Sequence, residues 1–260
     1  MSTAELRDLF GMEEFRAAEA LQRAVWGDES APDPGTLMMV VQAEGGLAAG
    51  AFVGGRLVGY VFGFPSAKPG VLYCNGLAVL PEMRGRGLGA ALKWYERRWC
   101  LTRGFRQVRW TFDPMQTVNA ALYIDRLGAR STTYLVDYYG VIGGIERLPS
   151  DRLLVDWYLD DGIVDAKSEL RFMGGDVEDC LRIQLPRDVE TPTPQQKTAA
   201  TLAFRDNLRD AFSNGYGIAG FDCSERAYIL TRDIAARSCA AKLREINADG
   251  ANLALQRTKK

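Results

Sequence analysis

The sequence predicts a mixed α/β fold, a central mixed sheet flanked by helices, and three observations carry that reading. Segments of strand length alternate with segments of helical periodicity along the chain. One apolar strand runs through a glycine-rich turn directly into a helix. A further strand follows that helix, and a strand–helix–strand order needs a crossover that makes the two strands parallel neighbours. The 260 residues allow one large domain or two small ones, and a hydrophobic content of 47% suits a packed core.

In chain order, residues 4–26 read as an amphipathic helix with Leu6, Phe10, Phe15, Ala18, Leu21 and Val25 on one side and a break near Gly11. Pro32, Pro34 and Gly35 make a loop, and Thr36–Ala43 reads as a short helix. Leu47–Val53 and Leu57–Phe64 are strand-like and joined by Gly54-Gly55-Arg56, a hairpin signal. Val71–Val79 is the next strand, and Leu88 to about Thr102 the helix after the glycine turn, with Leu88, Ala91, Leu92, Tyr95 and Trp99 as its expected buried face. Gly104 suits a left-handed stop. Arg106–Phe112 alternates as a strand, with Val108, Trp110 and Phe112 on one face. Asp113-Pro114 is expected to open a second helix, Asp as N-cap and Pro at the first helical position, carrying Gln116, Asn119 and Tyr123 on one stripe and ending at Leu127-Gly128.

Strands are expected at Thr132–Val136 and Tyr138–Ile142. Leu153–Leu159 fits strand or helix, and Asp160–Asp179 reads as a connection. Cys180–Leu185 alternates like a strand, and Thr193-Pro194 opens a helix to about Asn214 with Leu202, Leu208, Ala211 and Phe212 inward. Tyr216–Phe221 and Ala227–Leu230 read as strands, and Asp233 to about Ile246 as a last helix. The second half thus repeats the order strand, helix, strand, strand of residues 106–142, without its own glycine loop.

Composition narrows the function. The net charge of −1 gives no argument for a nucleic-acid or acidic membrane surface. No apolar run approaches the roughly 18 residues of a membrane span. Five scattered cysteines without C-x-x-C spacing suggest neither a disulfide framework nor a zinc site, which fits a reducing cytoplasm. The chain has no histidine, which excludes Ser-His and Cys-His machinery and removes the commonest general base and metal ligand. No metal is expected.

The chemistry centres on Leu77-Ala78-Val79 and Arg84-Gly85-Arg86-Gly87-Leu88-Gly89-Ala90. Glycines there leave backbone N–H groups without side chains in front of them. The first N–H groups of the following helix lack internal partners, the helix dipole adds positive potential, and two arginines add full charges. A pyrophosphate is the natural occupant. The loop lacks the Gly-Lys-Ser/Thr of a Walker loop and the G-x-G-x-x-G of a dinucleotide fold.

What these residues resemble is the Arg/Gln-x-x-Gly-x-Gly/Ala signature of the GNAT acyltransferases, here Arg84-Gly-Arg-Gly87-Leu-Gly89. Leu77-Ala-Val79, Pro81 and the stretch Leu122-Tyr123-Ile-Asp-Arg-Leu127-Gly128-Ala129 match the same family. The resemblance is specific over about 47–140. Thr111-Phe-Asp-Pro114, Asn119-Ala120 and Pro149-Ser-Asp-Arg152 are similar to a longer, poorly characterised branch of predicted GNAT acyltransferases. Some of that branch carry Ser-His where this chain has Cys74-Asn75, so the acceptor chemistry stays open.

The resemblance implies transfer of an acyl group from acetyl-CoA or another acyl-CoA to the amine of a small molecule, by direct attack through a tetrahedral intermediate. It implies backbone groups of Leu77, Ala78 and Val79 along the pantetheine, with the Val79 N–H as oxyanion donor. It implies Gly85–Ala90 on the pyrophosphate, flanked by Arg84, and Tyr123 as the acid that protonates the leaving thiolate. Asn119 or Gln116 is expected to reach the cofactor. Asp113, Glu44 and Glu82 are acids near the expected cleft, none singled out as base. Cys74 offers a covalent alternative, against which stands its expected burial. Succinyl-CoA as donor, and a non-catalytic CoA sensor, are the competing readings. The domain expectation is an acyl-CoA-binding domain over 1–145 and an α/β extension over 146–260 that is either a degenerate half-GNAT unit or an unrelated appendage. A monomer or homodimer is expected, with no nucleic-acid or membrane partner.

Overall fold

The computed structural model describes residues 4–27, 31–140, 149–168, 180–186 and 193–232. The chain divides into two compact units, Met1–Trp110 and Thr111–Lys260.

In the first unit the order is β1 (Glu5–Asp8), α1 (Gly11–Trp26), α2 (Gly35–Ala43), β2 (Leu47–Val53), β3 (Arg56–Pro65), β4 (Val71–Val79), α3 (Leu88–Thr102) and β5 (Gln107–Phe112), whose last two residues cross into the second unit. β1, β2, β3 and β4 pair antiparallel in sequence order. The Gly54-Gly55 turn between β2 and β3 has φ +57° and +80°, the left-handed geometry that glycine tolerates and that matches strand twist. β5 then pairs parallel with β4, as the crossover through α3 requires.

Two expectations for this unit are corrected. Residues 5–8 are strand, because Glu5–Asp8 gain backbone partners in Phe52–Ala49 of β2 that a free helical turn lacks. The helix starts only at Gly11, and Phe10, expected on its apolar side, is 84% exposed. The buried face of α3 is rotated from the expected one: Leu92, Lys93, Glu96, Trp99 and Cys100 point inward, while Leu88, Ala91 and Tyr95 are only partly covered. A hydrophobicity reading cannot find this face, since it contains an ion pair, Lys93–Glu96, with both side chains no more than 1% exposed. The Lys93 ammonium sits 3.8 Å over the Trp110 ring, which supplies negative π density to a desolvated cation.

The second unit contains α4 (Thr117–Ala120, continued by a π-helical turn through Arg126), β6 (Arg130–Leu135), β7 (Arg152–Tyr158), α5 (Gly162–Ser168), β8 (Leu181–Gln184), α6 (Pro194–Ser213), β9 (Gly217–Asp222) and β10 (Ala227–Thr231). Its strands lie in the order β7-β6-β9-β10-β8. β6 and β9 meet antiparallel at Ser131↔Ile218, and each pairs antiparallel on its far side with the strand that follows it in the chain. The unit therefore contains helix–strand–strand twice, α4-β6-β7 and α6-β9-β10. The order strand, helix, strand, strand expected for the last segment is observed as β8, α6, β9, β10.

Leu153–Leu159 resolves as strand, and Asp160–Asp179 contains α5 in its described part. Tyr138 and Tyr139 form a turn rather than a strand; residues 141 and 142, and the expected helix from 233, lie outside the described residues. α6 buries Phe204, Leu208 and Ala211, while Leu202 is exposed. Buried Asp151 holds this unit's polar core: Arg205 donates to both its oxygens at 2.8 and 2.7 Å, and Tyr134 and the Asp137 N–H donate as well. Among the described residues no helix is long and apolar enough to cross a membrane.

Candidate active site

β4 ends at Val79, and a single 3₁₀ turn at Pro81–Met83 leads into the glycine loop. Gly85 and Gly87 stand at φ +74° and +77°, where a side chain is strained. A Cβ built on either would meet no atom within 4 Å, so the loop faces open space. Gly87 is the N-cap of α3 and offers no side chain to the first turn; no side-chain hydrogen bond caps this helix. Arg84 and Arg86 are exposed, and Arg84 Nε donates to the Val79 carbonyl at 3.4 Å. The loop thus combines uncapped amides, a dipole end and two cations with room for an anion.

The β4 edge beside the loop is also open. Parallel pairing with β5 covers Val71↔Gln107, Leu72↔Val108 and Tyr73↔Arg109 and then stops, though β4 runs six residues further. The Leu80 N–H donates to Val58 on β3 at 2.9 Å. Backbone direction alternates along a strand, so the N–H groups of Leu77 and Val79 turn to the edge that β5 has left, while Ala78 faces β3. Leu77 and Val79 are partly exposed, Ala78 is buried. Asn75 is an extra residue in β4, since Gly76 pairs with Phe62 and Cys74 with Gly63. This β-bulge kinks the strand where the pairing with β5 is lost.

The Asp113–Tyr123 stretch belongs to the second unit. The Asp113 carboxylate accepts the Met115 N–H at 2.9 Å, which caps a turn; the helix opens only at Thr117, with Gln116 as its N-cap. This corrects the expected N-cap. Gln116 donates to Asp113 at 3.4 Å, and Asn119 donates to Gln116 Oε1 at 3.0 Å, so the two amides form one exposed chain. Tyr123, in the π-helical turn, is 9% exposed and meets the Phe112 ring edge-on at 5.4 Å.

The acids divide clearly. Glu82 is exposed and paired with Arg56 at 2.9 Å; its own backbone N–H and that arginine hold it below the usual carboxylate range. Glu44 is exposed at the end of α2. Cys74 is 6% exposed, and burial first, then the charge of Glu96, push its thiol far up, so the covalent alternative lacks a thiolate.

The structure adds two residues that the sequence did not single out. Asp33, in the α1–α2 connection, accepts the Asn75 side-chain amide on both carboxylate oxygens, at 3.0 and 2.9 Å. Tyr60, fully buried on β3, holds its hydroxyl beneath Gly76. Nothing in Pro32-Asp33-Pro34 marks that aspartate; only the bulge brings Asn75 to it.

Residues 6–129 match the Acetyltransferase (GNAT) family. A search of curated proteins finds no match. Among solved structures, the ribosomal-protein-S18-alanine N-acetyltransferase from Escherichia coli aligns over 68% of this chain and 100% of its own, at 15% identity and a TM-score of 0.51. An N-acetyltransferase from Staphylococcus aureus Mu50 aligns over 61% of this chain and 100% of its own, at 14% identity and a TM-score of 0.51. Identities this low speak for the fold alone; the family match is confined to residues 6–129, the stretch that contains the glycine loop and the kinked β4 with its open edge.

Proposed function

We propose that the protein is an acyl-CoA-dependent N-acyltransferase that moves an acetyl group from acetyl-CoA to the amine of a small molecule. One observation carries the reading: an uncapped glycine loop continues a strand whose outer edge is unpaired over Leu77–Val79. The open space at Gly85 and Gly87 fits a pyrophosphate, with Arg84, Arg86 and the amides of Gly85–Ala90 around it. The open backbone edge at Leu77 and Val79 fits the amides of a pantetheine arm. Acyl-CoA supplies a thioester whose thiolate can be displaced.

The chain supplies the rest. The Val79 N–H donates to the acyl oxygen as negative charge grows on it. Tyr123, whose phenolic O–H is a proton donor, gives a proton to the departing sulfur. Asn119, held by Gln116, supports the cofactor from the same helix. The amine attacks directly, since Cys74 is kept as a thiol. A domain over 1–145 followed by a degenerate half-unit over 146–260 is part of this reading, and the helix–strand–strand order α6-β9-β10 within the latter supports it.

Calorimetry with CoA and thiol-release assays with acetyl-CoA test this. Release that depends on an added amine is expected; CoA binding without turnover on any amine would make the protein a sensor. Faster release from succinyl-CoA than from acetyl-CoA would reassign the donor.

A further inference from the structure

The Asn75 bulge joins three groups that the transfer chemistry above leaves unused. Asp33 is partly buried and is clamped in place. Its backbone N–H donates to Gln22 Oε1 at 2.9 Å, and its carbonyl accepts Gln22 Nε2 at 3.2 Å. Gln22 itself is 1% exposed on α1. Among the described residues the carboxylate accepts only the Asn75 amide, and no lysine or arginine pairs with it. Burial raises its pKa, which is the mark of a desolvated anion lacking a cation.

Tyr60 is the second, independent sign. It is 0% exposed, yet its hydroxyl has no hydrogen-bond partner among the described residues. A buried hydroxyl left unsatisfied is destabilising and asks for an explanation. The hydroxyl occupies the place where a Cβ at Gly76 would lie, 2.5 Å away, so it sits against the bulge that presents Asn75. Burial pushes the Tyr60 hydroxyl far up, and the charge of Asp33 adds to that shift. Trp26, at the end of α1, packs edge-on against the Tyr60 ring at 6.5 Å and is itself 49% exposed.

We infer that Asp33, Tyr60 and Trp26 form the recognition site for the acceptor, and that the acceptor is a primary ammonium carried on an aromatic or apolar body. The inference rests on the N-acyltransferase reading above. The ammonium supplies the cation that Asp33 lacks; the Tyr60 hydroxyl, closed to solvent, is reached only as the ligand moves the Asn75 bulge, and the exposed Trp26 face takes the apolar body. A neutral or anionic acceptor would leave the carboxylate unpaired.

Calorimetric titration of 2-phenylethylamine into the full chain saturated with CoA tests it, with 2-phenylethanol as the neutral isostere. The amine should bind at least tenfold tighter than the alcohol. Asp33→Asn should remove that preference and leave CoA affinity unchanged. Tyr60→Phe should weaken the amine severalfold while holding or raising Tm, because it deletes an unsatisfied hydroxyl; a purely structural tyrosine would change stability and not binding. Equal affinity for amine and alcohol, or an Asp33→Asn variant that keeps the preference, overturns the inference. Tighter binding of a phenylalanyl dipeptide than of the amine overturns the small-molecule assignment in favour of a peptide terminus. If CoA fails to bind, the N-acyltransferase reading falls, whereas loss of amine preference with intact CoA binding removes only the acceptor site.

Discussion

The helices α3 and α6 open in opposite ways, and the difference separates the two units. α6 begins with a capping box: Thr193 accepts the Gln196 N–H at 3.2 Å, Gln196 returns a bond to the Thr193 N–H at 2.9 Å, and Pro194 has no N–H to satisfy. Its orphan donors are largely spent within the chain. α3 begins at Gly87 in left-handed geometry with no side-chain cap. Its donors are left for water or a ligand, in front of open space. The second unit uses a helix start for stability; the first leaves one without a side-chain cap.

The buried ion pairs differ in the same sense. Lys93–Glu96 joins residues three apart on one helix, so it adds little to topology. Asp151–Arg205 joins residues 54 apart and ties the turn before β7 to α6. Removing one partner of such a pair strands a buried charge, at a cost of roughly 3–5 kcal/mol. Arg205→Met is therefore expected to give the largest effect, a loss of that order in denaturant unfolding. Burial alone lifts the carboxyl of Asp151, but Arg205, the Asp137 N–H and Tyr134 outweigh it and hold it below the usual carboxylate range. A carboxyl depressed in the folded state contributes stability above its unfolded pKa of about 3.9 and loses it as pH falls through the lower, folded value. Wild type should lose stability over that acidic window, and Asp151→Asn should flatten the profile there.

Tyr123→Phe comes next. It keeps the ring against Phe112, so folding should survive. A proton given to the leaving sulfur matters only as charge develops, so kcat should fall roughly 10²-fold while the KM for acyl-CoA moves little. A wild-type rate would reduce Tyr123 to packing.

The two helix starts are separated by the remaining pair. Gly87→Glu places a strained, negative side chain in the open space of the loop, and CoA affinity by calorimetry should fall at least tenfold, about 1.4 kcal/mol. Unchanged affinity in a folded variant would sink the pyrophosphate assignment. Thr193→Ala should cost about 1 kcal/mol of stability and leave CoA binding alone. A reversal of these two outcomes would erase the contrast between α3 and α6.

What the sequence by itself determined was whatever local chemistry decides. Glycine pairs allow left-handed turns, so the β2–β3 hairpin and the loop before α3 were legible, as was the capped start at Thr193-Pro194. Alternation and strand–helix–strand order were enough for β4, α3 and β5 and for their parallel pairing. The family motif suggested an occupant for the loop. Tertiary structure decided the rest. Residues 5–8 became strand because β2 offered an edge, and Asp113 capped a turn because the helix behind it starts at Thr117. Lys93 and Glu96 turned inward because each neutralises the other, and no hydrophobic pattern encodes a pair. Asp33 and Asn75, 42 positions apart, meet only because one extra residue kinks β4. A bulge is a mismatch between two strands, so neither strand's sequence carries it alone.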